Sequence, residues 1–180
     1  FKDGAYTSPK VENREHAMWR SFRSIDIANV LECDLIVLWL AREGTLCLES
    51  KKPVEAIKQL VSALDDMLAY DKNIRIAIEP KPNEPIDRSY AGTIGHALAL
   101  AGMTKDPKRV GGLVESAHSV IAGLEPAHDM AFAIAANKLW SVHLNDQNGV
   151  RYDQDRIFGS ENLRSTFNQI KVLCDNKYGE

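Results

Sequence analysis

Short apolar runs of strand length alternate along this chain with longer segments of helical apolar spacing, and no hairpin turn separates successive strands. Leu35 to Trp39, Ile74 to Pro80, Val110 to Glu115 and Leu139 to Asn145 are the runs. Between them lie patterns with apolar residues three or four apart. One runs from Ser8-Pro9 to about Glu32 with Met18, Phe22 and Ile25; another opens at Pro53 and carries Val54, Ile57, Leu60, Val61, Leu64 and Leu68. Further helices are predicted from Tyr90 to Ala101, stopping at Gly102, from Met130 to Asn137, and after a Ser160 cap with Leu163, Phe167, Ile170 and Leu173 on the buried side. Such alternation implies βαβ units and a parallel sheet covered by helices.

Two parallel architectures compete. A doubly wound sheet normally carries a glycine-rich phosphate turn after a strand, and no G-x-G-x-x-G occurs here, so a (βα)8 barrel is favoured. Such barrels run to ~250 residues and eight strands. This chain has 180 residues and about four βα units, which predicts one incomplete barrel domain over 1–180 with no linker or repeat. An open sheet exposes unpaired edges and half a pocket, so the isolated polypeptide is expected to be poorly soluble and inactive.

Composition narrows the partners. With 44% hydrophobic and 26% charged residues and a net charge of −3, the chain is ordinary globular material. It has no concentrated Lys/Arg cluster for nucleic acid and no apolar run near the ~20 residues of a membrane helix. A small neutral or acidic-tolerant ligand fits better. Cys33, Cys47 and Cys174 are few, odd in number and far apart, as in reduced thiols of a cytoplasmic protein.

Alternate strand residues share a face. Ile74, Ile76 and Ile78 therefore oppose Arg75, Ala77, Glu79 and Lys81, and Trp140, Val142 and Leu144 oppose Ser141, His143 and Asn145. In a barrel the apolar set packs under the helices, leaving Glu79, Lys81, His143 and Asn145 near the carboxyl ends of strands, where barrel active sites sit. A solvated sheet edge is the bland alternative. Glu115-Ser-Ala-His118 and Asp153-Gln-Asp155 add carboxylates and an imidazole that could share a cation, although either motif alone is common on surfaces. Glu79-Pro-Lys81-Pro-Asn-Glu-Pro85 uses three prolines to stiffen a strand exit, or else is a Pro-rich surface turn. His16, His96 and His128 have no ligand-like company.

These motifs resemble the xylose isomerases. Phe1-Lys-Asp-Gly-Ala-Tyr-Thr7 is similar to that family's FKDGxFT, and Trp39 to Gly44 to its WGGREG, with Leu40-Ala41 in place of the glycine pair. Ile78 to Pro85 (IEPKPNEP), Leu144 to Asp155 (LNDQNGVRYDQD) and Phe158-Gly159 match family blocks closely. The resemblance implies a two-metal aldose–ketose isomerase working by hydride shift between C1 and C2 of an open-chain sugar. It implies that Glu79 binds the first metal, Glu115 bridges both, and His118, Asp153 and Asp155 bind the second. It further implies that Lys81 contacts O1, Asp155 receives a proton, Trp39 walls the substrate and Asn145 contacts it. Mg²⁺, Mn²⁺ or Co²⁺ suits such ligands. His143 stands where the family has an Asp ligand. A neutral imidazole there shifts preference from Mg²⁺ toward Mn²⁺ or Co²⁺. The alternatives are another metal-dependent sugar isomerase or epimerase of the same superfamily, or an inactive fragment. A homotetramer or homodimer of the full-length protein is implied by the resemblance alone.

Overall fold

The structure is a computed structural model and describes residues 2–179. Four parallel strands lie side by side in the order β1 (Leu35–Trp39), β3 (Arg75–Glu79), β5 (Val110–Glu115), β6 (Leu139–His143). β3, β5 and β6 are each reached through a helical crossover, the arrangement expected of an incomplete (βα) barrel. Glu79 pairs with Trp39, and Glu115 with His143, so the register brings the functional strand ends to one rim.

Helices cover one face. In α1 (Val11–Val30) the buried positions Ala17, Ser21, Ile25 and Ala28 recur at helical spacing. Pro53 occupies the first turn of α2 (Pro53–Tyr70), where its missing N–H costs nothing, and Leu60, Leu64, Met67 and Leu68 form the buried stripe. The Asp71 carboxylate then accepts from the amides of Asn73 and Ile74, turning the chain into β3. Arg109 donates to the carbonyls of Leu68, Asp71 and Ile74, satisfying groups a helix end leaves open. Ile74, Ile76 and Ile78 are fully enclosed beneath α2 and α3 (Ile94–Met103), as the strand alternation predicts.

The structure corrects the sequence reading in several places. A short antiparallel ribbon joins β2 (Gly44–Thr45) to β4 (Arg88–Ser89), two loop segments too distant in sequence to show a hairpin signal. A six-residue helix, α4 (Ser116–Ile121), follows β5 directly. The α3 helix is capped by Thr93 rather than opening at Tyr90, and it continues through Gly102. Helix α5 (Pro126–Ala135) begins at the Glu125 cap, and α6 (Leu163–Asp175) is capped by Asn162, not Ser160. On α6 only Leu173 of the predicted apolar stripe is buried; Leu163, Phe167 and Ile170 are exposed. The buried face is instead polar, because Ser165 donates to Glu125 and Gln169 accepts from Ser116.

Trp140 is the most informative correction. The β5–β6 register slips between Gly112 and Leu113, so one extra residue is accommodated in β6 and strict alternation fails. Trp140 therefore lies on the inner face with Ser141 and His143. Its ring presses on Gly111, where a Cβ would come within 2.5 Å, and the Arg75 guanidinium sits 5.4 Å from the ring centre. Among the described residues no helix is long and apolar enough to cross a membrane. All three cysteines are exposed free thiols.

Candidate metal and sugar site

The carboxyl ends of the strands and the segments that follow them supply the site. Glu79 ends β3 and Glu115 ends β5; both are buried, as are Lys81 and His118. The first turn of α4 carries His118 back over Glu115, so its Nε2 lies 3.4 Å from Glu115 Oε1 and 3.3 Å from Asp153 Oδ2, while Nδ1 lies 3.7 Å from Glu79 Oε1. Lys81 Nζ is 2.6 Å from Asp153 Oδ2 and 5.3 Å from the centre of the Trp39 ring. Trp39, Glu79, Glu115, His118, Asp153 and Asp155 line a cleft of about 320 Å³.

The loop after β6 is folded by side chains that the sequence reading overlooked. Asp146 accepts from the amides of Gln147, Glu161 and Asn162. Buried Gln147 donates to the carbonyls of Gly149 and Tyr152 and accepts from the amide of Gln154. Glu84 receives the Asp153 amide at 2.8 Å. No residue type announces such roles; a glutamine in a polar loop has no periodic signature. The structure thereby presents Asp153 and Asp155 toward Glu115. Asn145 bridges two carboxylates, donating to Glu115 Oε1 and Asp155 Oδ1, and its own oxygen accepts from the Ala117 amide. His143 lies at the margin, half exposed, with Nδ1 3.2 Å from Glu115 Oε2. His16 stacks on Trp19 and His96 bonds to Thr93, both apart from this cluster.

The charge balance is strained. Burial, and then the neighbouring Glu115 carboxylate, pushes Glu79 up to about 8. Burial also opposes charge on Glu115, but His118 and hydrogen bonds from Glu79, Asn145 and His143 outweigh it and hold that carboxyl below its ordinary value. Asp155 is raised by burial first and by Asp153 and Glu115 next. Carboxylates so crowded repel one another unless a proton or cation intervenes.

A divalent cation fits this donor set. Ligand atoms of Glu79, Glu115 and His118 lie within 4.8 Å of one another, and so do those of Glu115, Asp153 and Asp155, with Glu115 common to both groups. His118 Nδ1 and Asp153 Oδ1 are buried without a hydrogen-bond partner, an arrangement that is costly unless something else binds them. Carboxylate oxygens with one imidazole suit a hard or borderline ion.

The sequence profile of the xylose isomerase-like TIM barrel matches residues 3–172. This chain belongs to that family. Members of the xylose isomerase-like family related to it include the xylose isomerase of Thermus thermophilus, 38% identical over 182 residues, a match covering 99% of this chain and 47% of that protein. The chain thus spans about half the length of this curated relative. In fold it is similar to a D-tagatose 3-epimerase-like protein (TM-score 0.83, 19% identity, 99% of this chain and 65% of the other). It is also similar to D-allulose 3-epimerase from Methylomonas sp. (TM-score 0.75, 16% identity, 98% and 57%).

Proposed function

We propose that this chain carries the metal-binding and much of the sugar-binding machinery of a metal-dependent aldose–ketose isomerase of the D-xylose to D-xylulose type. The observation that carries this reading is the buried Lys81 ammonium, held beside Trp39 at the edge of a carboxylate and imidazole cluster. Glu79, Glu115 and His143 would hold one divalent ion, and Glu115, His118, Asp153 and Asp155 a second. When bound, such ions supply Lewis acidity toward sugar hydroxyls and a template for the open chain.

The chain's own residues then have definite tasks. Asp155, at the edge of the cleft, takes the proton from O2–H. Hydrogen moves with its electron pair from C2 to C1, C2–O2 becomes the carbonyl, and O1 gains a proton. Lys81 opposes the negative charge on O1 during the shift, an effect strengthened by its near-total burial. Trp39 excludes water from one side, and Asn145 keeps Glu115 and Asp155 in register while lying within reach of the sugar.

A second reading, epimerisation by proton transfer, is favoured by two buried carboxyls, Glu79 and Glu115, lining the same cleft. Isotope tracing in the full-length, Mn²⁺-loaded protein separates the two. Conversion of an aldopentose in D₂O without deuterium at C1 of the ketose supports isomerisation by hydride shift, whereas deuterium on the sugar carbon refutes it.

A further inference from the structure

Another buried carboxylate, Glu43, takes no part in the chemistry above. It follows β1, is 2% exposed, and accepts four hydrogen bonds from one short segment. The Ala5 and Tyr6 amides reach Oε1 at 2.8 and 3.1 Å; the Thr7 amide reaches Oε2 at 3.0 Å and the Thr7 hydroxyl reaches it at 2.5 Å. Lys51 closes the arrangement by donating to Thr7 Oγ1 and the Gly44 carbonyl. Gly4, at φ +91°, lets the segment wrap so tightly that a Cβ there would lie 2.7 Å from Thr7 Oγ1.

The main chain of Glu43 extends the connection toward the cleft. Its carbonyl accepts from the Tyr90 amide at 2.8 Å, and the next residue's carbonyl, that of Ala91, accepts from the Lys81 amide at 3.0 Å. Gly44 pairs with Ser89 and Thr45 with Arg88, fastening the same two loops. Pro80 and Pro82 flank Lys81 and have no N–H, so the Lys81 amide is the single main-chain donor tying this stretch down. On the other side, Trp39 ends β1 four residues before Glu43, next to the segment that the carboxylate anchors.

We propose that Glu43 is a positioning residue: by clamping residues 5–7 against the β1 loop it holds the Lys81 and Trp39 pair over the cleft. The role given to Lys81 rests on the isomerase reading, but the physical linkage does not. Gln at position 43 is a severe test despite its shape. A carboxamide has one acceptor oxygen, and its NH₂ group would face donors.

Hydrogen exchange read by mass spectrometry in the full-length protein tests the linkage, alongside kcat, KM and Mn²⁺ affinity by calorimetry. In E43Q, exchange over residues 4–8 should rise about tenfold or more, and exchange of the Lys81 amide should rise with it. Turnover should fall roughly tenfold through misplacement, with any rise in KM smaller than the fall in kcat and Mn²⁺ affinity unchanged, and E43D should recover part of the loss. Faster exchange confined to residues 4–8 with kcat intact would reduce Glu43 to a local clamp and overturn the proposal; so would Mn²⁺ affinity falling in step with kcat. Should E43Q fail to fold, E43D and K51M, which loosen the clamp from either side, must still speed exchange at Lys81, and unchanged exchange there overturns it. A wild-type protein that binds Mn²⁺ but isomerises no sugar sinks the isomerase reading, and the exchange comparison at Lys81 still decides the case of Glu43.

Discussion

Replacing Lys81 by Met keeps the length and apolar stem of the side chain and removes its charge. The ammonium is 2.6 Å from Asp153 Oδ2, with the two side chains 4% and 17% exposed. Breaking a fully buried pair costs roughly 3–5 kcal/mol because the surviving charge is stranded. Asp153 keeps some access to water, which places K81M near the lower end, about 3 kcal/mol, in metal-free protein. Divalent metal should restore most of that loss, since Asp153 would again face a cation. Turnover should behave differently. A preorganised charge aimed at the reacting oxygen is worth about 10²–10³ in kcat, and metal cannot replace it at that position. Mn²⁺ affinity should not weaken, because the variant removes a positive charge from beside Glu79, Glu115, Asp153 and Asp155. Calorimetric Mn²⁺ titration and an aldopentose assay at saturating Mn²⁺, both on the full-length protein, measure the two quantities. Unchanged turnover, or affinity and turnover falling together, would refute the role assigned to Lys81.

Three other outcomes follow from the geometry. Because Glu79 is raised from 4.5 to about 8 in the fold, its contribution to stability is fully present below 4.5 and is lost as pH rises through 8. The melting temperature in chelator should therefore fall across that window, and saturating Mn²⁺, which favours the ionised carboxylates, should remove the decline. The added methyl of G111A would meet the Trp140 ring at 2.5 Å, with Arg75 packed against that ring, so the urea midpoint should drop by an equivalent of about 1–3 kcal/mol. In W140A the same change should cost less, and equal costs in the two backgrounds would contradict the packing. His143→Asp exchanges an imidazole for a hard oxygen beside Glu115 and should tighten Mg²⁺ more than Mn²⁺ in competitive titration.

What the sequence determined by itself was local and periodic. Ile74, Ile76 and Ile78 mark a buried strand face because side chains alternate along a strand, and Leu60, Leu64 and Leu68 mark a buried helix stripe because a turn takes 3.6 residues. Strand ends then carry Glu79 and Glu115 to a common rim, so much of the candidate site was legible before any tertiary contact was known. The remaining features depend on pairings between distant segments, which leave no period in the chain. The extra residue that turns Trp140 inward exists only in the register with β5. The polar face of α6 is buried because Ser116 and Glu125 wait opposite Gln169 and Ser165, so Leu163 and Phe167 stay outside. Glu43 looks like an ordinary surface acid until three backbone amides, some 36 to 38 residues away, converge on it. Periodicity reports which face of an element is apolar; only the folded chain decides what that face, or its polar opposite, will meet.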